Sequence, residues 1–348
     1  MKNYKSHLIN STATLKDGLI AINQLLNEVL CLFVVDNSLR LVGTLTDGDI
    51  RRALISGLEL KESIESAMNK NCIKLLITEV TPAKIKIFRT KDIKLLPCID
   101  ELGKIIKVYD LEAKQSILPI DAVLMAGGKG VRLRPLTEKT PKPLLKVGDK
   151  SIIDYNIDRL LHFGVEHINV TVNYLREQIE AHFLKEIDGI KITCVKEPKY
   201  LGTIGSVKFI PKFYHDTVLV MNSDLFTNID LEEFYDDFLK SNADMAVAAI
   251  PYAISVPYGI FKLEDNTIKG LREKPTYNYY ANGGIYLIKR KLFDIIPDDT
   301  FFDATDFIEL LIAQGYKVIR FPLIGYWIDI GKHEDFKKVQ EFAKHIKK

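Results

Sequence analysis

The stretch Asp121-Ala-Val-Leu-Met-Ala-Gly-Gly-Lys-Gly-Val-Arg-Leu133 decides the fold that this sequence predicts. Asp121–Met125 is a short apolar run, which is typical of a buried strand, and glycines follow it directly. Because glycine has no side chain, its backbone N–H groups can turn inward and hold phosphate oxygens. The stretch therefore predicts a strand that ends in a phosphate-binding loop.

Further along the chain, predicted strands alternate with predicted helices of about ten residues. The elements after the first strand are a helix at Ser151–Phe163, a strand at Ile168–Val172, a helix at Leu175–Phe183, and strands at Ile190–Val195 and Thr217–Met221. This alternation predicts an α/β fold with a doubly wound, mostly parallel, Rossmann-like sheet. In such sheets ligands bind outside the carboxyl ends of the strands.

The glycine loop matches neither of two common phosphate-binding motifs. A dinucleotide fingerprint that starts at Gly128 would need glycine at position 133, where this chain has leucine, and no Lys-Ser or Lys-Thr closes a Walker loop. The loop is nevertheless rich in cations, opposed within the span only by Glu138. The basic residues are Lys129, Arg132, Arg134, Lys139, Lys142 and Lys146. A phosphate chain carries several charges and needs such a cluster, so the loop is predicted to bind phosphate. The alternative is that these residues form a solvated basic loop without a ligand.

Met125–Leu145 resembles the signature of sugar-1-phosphate nucleotidyltransferases, which join an NTP and a sugar 1-phosphate to give an NDP-sugar and pyrophosphate. Val131 departs from the signature, because many members carry threonine or serine there, and the change removes one hydroxyl contact. The resemblance implies that nucleotide is bound by Met125, Ala126, Gly127, Gly128 and Gly130, and that Arg132 and Lys142 are catalytic cations.

Two carboxylates are candidate ligands for Mg²⁺. Asp224 follows the strand at Thr217–Met221, and Asp329 lies in the distant segment Trp327-Ile-Asp-Ile-Gly331. Two carboxylates together with triphosphate oxygens are a common way to hold Mg²⁺. The resemblance implies a metal-binding role for both residues and a catalytic role for Asp224. The alternative is that Asp224 is only a turn residue and Asp329 only a surface residue.

The same resemblance implies a sugar-phosphate site. Glu273-Lys274-Pro275 follows a predicted strand at Thr267–Leu271, and Asn282-Gly-Gly284-Ile-Tyr286 has small residues that let a sugar approach the backbone. An exposed charged turn is the alternative for the first segment. The candidate sugar-phosphate residues are Asn173, Tyr174, Glu273, Lys274, Asn282 and Gly284.

The segment from Glu197 to Thr203 bears on the choice of base. It resembles the family's base-reading loop, in which Gly202 packs against the base and relatives that use uracil or thymine carry glutamine near position 197. A carboxylate only accepts hydrogen bonds, and guanine offers two adjacent donors. Because a site that mispairs polar groups discriminates strongly, Glu197 favours GTP, with UTP, CTP and dTTP left open.

Residues 1–118 form a separate predicted domain, and residues 119–348 form the catalytic domain. The first domain contains a weak duplication of about 50 residues, with predicted helices at Leu15–Asn27 and Glu62–Met68 and strands at Cys31–Val35 and Ile85–Phe88. The segment from Leu41 to Leu54 resembles a CBS motif, which implies an α/β CBS pair that dimerises or binds an adenine nucleotide. The candidate ligand residues are Thr46, Asp47 and Asp49, and a purely structural cap is the alternative.

The composition excludes several other classes. With 48 basic and 46 acidic residues the net charge is only +2, so we expect neither a nucleic-acid nor a membrane partner. Four scattered cysteines and an amino terminus without an apolar core favour the cytoplasm. The pairing of a CBS-like domain with a transferase resembles bacterial guanylyltransferases that make GDP-sugars for surface glycans. This resemblance implies a homo-oligomer that uses glucosamine 1-phosphate, or mannose or heptose 1-phosphate. A nucleotide-sensing protein without catalysis is the alternative.

Overall fold

A computed structural model describes residues 4–26 and 28–346 of the chain. The chain divides into two compact units. The first comprises residues up to 118 together with 161–164 and 187–190, and the second comprises 119–160, 165–186 and 191 onward.

The first unit is built from two small sheets that repeat one pairing pattern. Its elements are β1 Leu8–Asn10, α1 Leu15–Asn23, β2 Cys31–Val35, β3 Leu41–Thr46, α2 Asp47–Ile55, β4 Leu75–Leu76, α3 Pro82–Thr90, β5 Leu95–Ile99 and β6 Ile105–Asp110. β1 pairs parallel with β2, which pairs antiparallel with β3, and β4, β5 and β6 repeat this arrangement. The repetition is what a duplicated sequence predicts, while the assignment to a CBS pair stays a prediction.

Two local predictions in the first unit were wrong. Residues 85–88 are not a strand but part of α3, because Thr81 caps the helix and Pro82 occupies its first position. The helix predicted at Glu62–Met68 is only a 3-10 turn at Ile64–Ser66. The first predicted helix ends at Asn23, and its expected last residue, Asn27, lies outside the described residues.

The second unit is a single large α/β body. Its elements are β7 Asp121–Ala126, β8 Lys146–Val147, β9 Lys150–Ser151, α4 Ile152–His162, β10 His167–Val172, α5 Arg176–His182, β11 Ile192–Lys196, β12 Thr217–Asn222, β13 Leu225–Thr227, α6 Leu231–Lys240, β14 Met245–Ser255, β15 Ile260–Glu264, β16 Thr267–Arg272, β17 Thr276–Lys289, α7 Ala304–Ala313, β18 Val318–Pro322, β19 Trp327–Asp329 and α8 His333–Ile346.

Seven strands form the central sheet in the order β11-β10-β7-β12-β17-β14-β18. All neighbours are parallel except at β17, which is antiparallel to both β12 and β14. The mostly parallel α/β sheet predicted from the sequence is therefore confirmed. β7 lies near the middle and is apolar because it is buried on both faces, with Val123 and Leu124 fully inaccessible to solvent.

No helix in the described part of the chain has the length and apolarity that a membrane crossing requires.

Thr46 and Asp49 form a reciprocal cap at the start of α2. The Thr46 backbone N–H and hydroxyl both donate to Asp49 Oδ2, at 2.8 and 2.6 Å, and the Asp49 N–H donates to Thr46 Oγ1 at 3.3 Å. The second oxygen of Asp49 accepts from Arg52 at 2.5 Å, and Asp47 pairs with Arg51. All three candidate ligand residues thus have local partners, and a ligand-binding role for them stays a prediction.

We predict that Thr46→Ala frays the start of α2. A lost N-cap costs about 1 kcal/mol, so amide hydrogen exchange of the first turn in the full chain is expected to accelerate roughly fivefold. Asp47→Ala is the matched control, since it removes only an exposed pair, and its exchange is expected to change by less than about twofold. Equal acceleration in both variants would contradict the capping role.

Candidate active site

Four parallel strands, β7, β10, β11 and β12, end at the same edge of the central sheet. A cavity of about 330 Å³ is formed there, which we call the catalytic cavity. Every predicted nucleotide-binding, catalytic and metal-binding residue lines it. They are Met125, Ala126, Gly127, Gly128, Gly130, Arg132, Lys142, Glu197, Gly202, Thr203, Asp224 and Asp329.

Lys142 lies between the two predicted metal-binding carboxylates. Its ammonium pairs with Asp224 Oδ2 and lies 3.6 Å from Asp329 Oδ1. The Lys142 side chain is only 10% exposed, so water screens this contact poorly. Burial, followed by the nearby Asp224 charge, raises the pKa of Asp329, whereas Lys142 and Arg132 oppose that rise. The cluster is therefore electrostatically coupled.

Two short strands bring these distant aspartates together. β13 pairs antiparallel with β19 so that Leu225 faces Asp329, and the Ile330 N–H donates to the Asp224 carbonyl at 3.3 Å. Asn156, buried on α4, donates its amide to the carbonyls of Ser223 and Leu225, on either side of Asp224. The backbone around the Asp224 carboxylate is thereby fixed from both sides.

The carboxylate pair fits a divalent cation. Asp224 Oδ1 is buried and has no hydrogen-bond partner among the described residues, which leaves one hard oxygen donor unmet. In residues 4–26 and 28–346 no three histidine, cysteine, aspartate or glutamate side chains cluster in a way that would hold a metal. Mg²⁺ commonly uses one or two carboxylates and completes its shell with phosphate and water. Asp224 and Asp329 are thus suited to Mg²⁺ that arrives with a nucleotide.

The glycine loop is held in place by its neighbours. Gly130 has φ +59°, a left-handed conformation that favours glycine, and its carbonyl accepts from the Thr137 hydroxyl at 2.8 Å. The Tyr174 hydroxyl donates to the carbonyl of Thr137 at 3.1 Å, and its backbone N–H to that of Gly127 at 3.5 Å. Tyr174 therefore positions the loop, and it is not part of the wall of the catalytic cavity.

Gly127 packs directly against the carboxyl group of Glu197. A Cβ atom at position 127 would lie 2.6 Å from Glu197 Oε1. Burial raises the pKa of Glu197, and the hydroxyls of Thr171 and Ser206 lower it. Those two hydroxyl oxygens and Glu197 Oε2 are buried and have no partner within hydrogen-bond geometry in the described chain. Glu197, which lines the cavity, therefore carries a hydrogen-bond acceptor, Oε2, that has no partner in the described chain.

Gly202 and Thr203 dock against the start of α7. Gly202 has φ +78°, and a Cβ there would lie 2.6 Å from the Phe302 carbonyl oxygen. The Thr203 hydroxyl donates to Asp303 at 3.1 Å and accepts from the Ala304 N–H at 2.8 Å. The Thr203 backbone N–H also donates to Asp303, at 2.9 Å, so both its N–H and its hydroxyl are engaged by the start of α7. The protein itself therefore requires these residue types.

None of the predicted sugar-phosphate residues lines the catalytic cavity. Asn282 donates to the Tyr286 hydroxyl at 3.0 Å and accepts from the Gly284 N–H at 2.9 Å. A Cβ at Gly284 would lie 2.6 Å from Asn222 Nδ2. The glycine thus makes room for Asn222, a cavity residue that the sequence reasoning missed although it ends β12. Roles in sugar binding for Asn173, Tyr174, Glu273, Lys274, Asn282 and Gly284 stay predictions.

The first unit has its own cleft of about 920 Å³. Thr46 lines it, but Asp47 and Asp49 do not. Its charged lining residues are Glu28, Asp92, Lys94, Asp110 and Glu112, and Lys94 pairs with Glu112 at 2.7 Å. This acidic lining opposes the phosphates of a nucleotide. The predicted adenine nucleotide therefore gains no support from the cleft and stays a prediction.

The second unit is an α/β body with a glycine-rich loop after β7 and a charged cavity at the carboxyl edge of its sheet. Residues 121–345 match the family described as Nucleotidyl transferase, and this match covers more than half of the chain. The protein belongs to the nucleotidyl transferase family, as its sequence predicts.

Similar proteins include several guanylyltransferases. The D-glycero-α-D-manno-heptose 1-phosphate guanylyltransferase of Aneurinibacillus thermoaerophilus is 28% identical over 229 residues, which cover 65% of this chain and 99% of that protein. Mannose-1-phosphate guanylyltransferase 1 of Arabidopsis thaliana is 30% identical over 227 residues, which cover 62% of each chain. This chain thus spans about three fifths of the Arabidopsis protein.

Solved structures share the fold. The UDP-glucose pyrophosphorylase of Acinetobacter baumanii superposes with a TM-score of 0.53 at 18% identity, covering 66% of this chain and 95% of that one. HddC from Yersinia pseudotuberculosis gives 0.50 at 24% identity, covering 64% and 99%. At these identities the comparison supports the α/β nucleotidyltransferase-like fold alone.

We predict that Gly127→Ala destabilises the free protein and Gly128→Ala does not. The new methyl group at 127 would displace the buried Glu197 carboxyl, whereas a Cβ at 128 would meet no atom within 4 Å. Overpacking of this kind costs about 1–3 kcal/mol, which thermal unfolding resolves. A Gly127→Ala protein as stable as Gly128→Ala would show that the contact carries no constraint.

Proposed function

We propose that this protein is a sugar-1-phosphate guanylyltransferase, which transfers GMP from GTP to a sugar 1-phosphate and releases pyrophosphate. The observation that carries the proposal is the convergence of the glycine loop, Arg132, Lys142, Asp224 and Asp329 on one cavity. Similar proteins that are named heptose- and mannose-1-phosphate guanylyltransferases support it.

The reaction is a displacement at the α-phosphorus of the nucleotide. A phosphate oxygen of the sugar 1-phosphate attacks, and the bond from the α-phosphorus to the bridging oxygen of pyrophosphate breaks. Both reactants are anions, so their mutual repulsion is the main obstacle. Arg132 and Lys142 offset that repulsion and the charge that develops on the leaving group. Alignment of the two reactants within one cavity supplies a further part of the rate.

Asp224 and Asp329 are the residues that would hold Mg²⁺ beside the triphosphate. When bound, Mg²⁺ supplies Lewis-acid stabilisation of phosphate charge. The residues themselves supply a fixed pair of oxygens, since Asn156 and the β13–β19 pairing hold the backbone that carries them.

Glu197 is proposed to select guanine. Glu197 lines the cavity, and its buried Oε2 has no partner in the described chain, so a base that donates hydrogen bonds to this carboxyl group would satisfy it. Guanine presents two donors, N1–H and an exocyclic amine, side by side. Uracil presents one donor between two carbonyl acceptors, and a carboxylate repels those acceptors. The identity of the sugar is open among glucosamine, mannose and heptose 1-phosphates.

The activity is tested by pyrophosphate release with GTP, Mg²⁺ and those three sugar 1-phosphates. We expect one sugar to give turnover and Asp224→Asn to lower kcat by at least about 100-fold while GTP affinity changes only a few-fold. Asp265→Asn, an exposed turn residue, is the matched control and is expected to match wild type. If no pair of NTP and sugar 1-phosphate gives pyrophosphate, the protein is a sensor and the proposal fails.

Base selection is tested with Glu197→Gln. Because the ionised carboxylate is the acceptor and burial raises its pKa above the ordinary 4.5, GTP affinity of the wild type should rise with pH through that raised pKa. The variant should lack this rise and lose roughly tenfold or more of its preference for GTP over UTP. Glu138→Gln, an exposed glutamate, is the control. An unchanged preference in Glu197→Gln would refute the assignment.

A further inference from the structure

A second cavity of about 400 Å³ adjoins the catalytic cavity. We call it the lysine cavity, and its charged lining residues are Arg132, Asp329, Lys332, Asp335 and Lys338. Arg132 and Asp329 line both cavities, so the two spaces share a wall. Neither Lys332 nor Lys338 belongs to the motifs that indicated the catalytic site.

The cations of the lysine cavity lack carboxylate partners. Neither Arg132, Lys332 nor Lys338 forms an ion pair with a residue of the described chain. The two acids have other contacts, since Asp329 faces Lys142 at 3.6 Å and Asp335 accepts the Lys332 backbone N–H at 3.2 Å. The lining carries three cations without ion pairs and two carboxylates, one of which, Asp329, is already balanced by Lys142, so the cations are in excess and favour an anion.

Gly331 lies beside the two residues that the cavities share. A Cβ at this position would be in van der Waals contact, at 3.4 Å, with both Arg132 Nη2 and Asp329 Oδ2. The Arg132 guanidinium therefore rests close to the backbone of residue 331. A phosphate chain held by Arg132 would contact a residue that also lines the lysine cavity.

We propose that Lys332 and Lys338 bind the β- and γ-phosphates of the nucleotide and then the pyrophosphate that they become. This inference rests on the proposed function. The sugar-phosphate oxygen forms a bond to the α-phosphorus, the bond to the bridging oxygen breaks, and its electron pair leaves on pyrophosphate. Attacking and leaving oxygens are roughly in line, so the leaving group moves away from the sugar. The lysine cavity supplies cations to receive it.

The test uses the full chain and inorganic pyrophosphate as the probe. Isothermal titration gives the pyrophosphate Kd, and product inhibition gives its inhibition constant. We expect Lys332→Ala and Lys338→Ala each to weaken pyrophosphate binding by about fivefold, and the double variant to weaken it by roughly 20-fold. In all three variants the KM for GTP should rise and the KM for the sugar 1-phosphate should stay unchanged.

Lys337→Ala is the matched control, because Lys337 is exposed, as Lys332 and Lys338 are, but does not line the cavity. It removes the same charge and is expected to change the pyrophosphate Kd by less than about twofold. Lys338→Glu, with reversed charge, is expected to weaken pyrophosphate binding further than Lys338→Ala. Thermal unfolding of all five variants checks that each is folded.

The outcomes separate this inference from the proposed function. If the wild type turns over and the lysine-cavity variants bind pyrophosphate as Lys337→Ala does, the inference is wrong and the enzyme assignment stands. If the wild type releases no pyrophosphate from any pair of substrates and does not bind it in titration, both are wrong.

Discussion

The active site depends on one constraint, which is that two carboxylates must share a confined space. The pairing of β13 with β19 holds Asp224 and Asp329 together whatever their charge. Two unit charges 4 Å apart repel by about 4 kcal/mol at the effective dielectric typical of such sites. Lys142 offsets this repulsion, and Pro141 and Pro143 restrict the backbone on either side of it. The Lys142 ammonium is therefore held near the carboxylates by a backbone segment with little conformational freedom.

The contacts of Lys142 in the free protein bear on how the proposed ligands would bind. In the free protein Lys142 neutralises the carboxylates, while Asp224 Oδ1 keeps an unmet acceptor. A triphosphate also attracts the ammonium, so phosphate and carboxylates compete for Lys142. Once Lys142 turns to phosphate, the two aspartates need another cation. Binding of nucleotide and of a divalent cation is therefore expected to be mutually favourable, as linkage requires.

The sequence predicted which residues come together where side chains follow strand ends, because the topology of a parallel sheet collects those positions at one edge. Gly127, Glu197 and Asp224 follow three such strands and meet in the cavity. Lys274 was harder to place, since it lies between β16 and β17, where no sheet neighbour fixes how a side chain projects. Lys338 belongs to no motif, and its place in one cavity with Arg132 follows only from how the chain folds around α8.

The error at Ile85–Phe88 has a similar cause. A short run that alternates apolar and basic residues has the period of a strand, but Thr81 and Pro82 just before it carry the stronger signal for a helix start. In the same way Thr46 and Asp49 read as ligand residues by resemblance, although their spacing of three is the spacing of a capping box. At Ile85–Phe88 the local capping chemistry was a better guide than the wider pattern, whereas the ligand-binding role of Thr46 and Asp49 stays a prediction beside their capping role.

The glycines of the site show how protein packing and ligand chemistry are joined. Gly127 is small because the Glu197 carboxyl lies against it, and Gly284 is small because the Asn222 amide does. In each case the missing side chain makes room for a polar group of the protein rather than for a ligand directly. The phosphate loop and the proposed base-reading carboxylate are thus in contact through Gly127. A side chain added at Gly127 would therefore disturb Glu197, so under the proposed function the loop that holds phosphate also constrains the residue that reads the base.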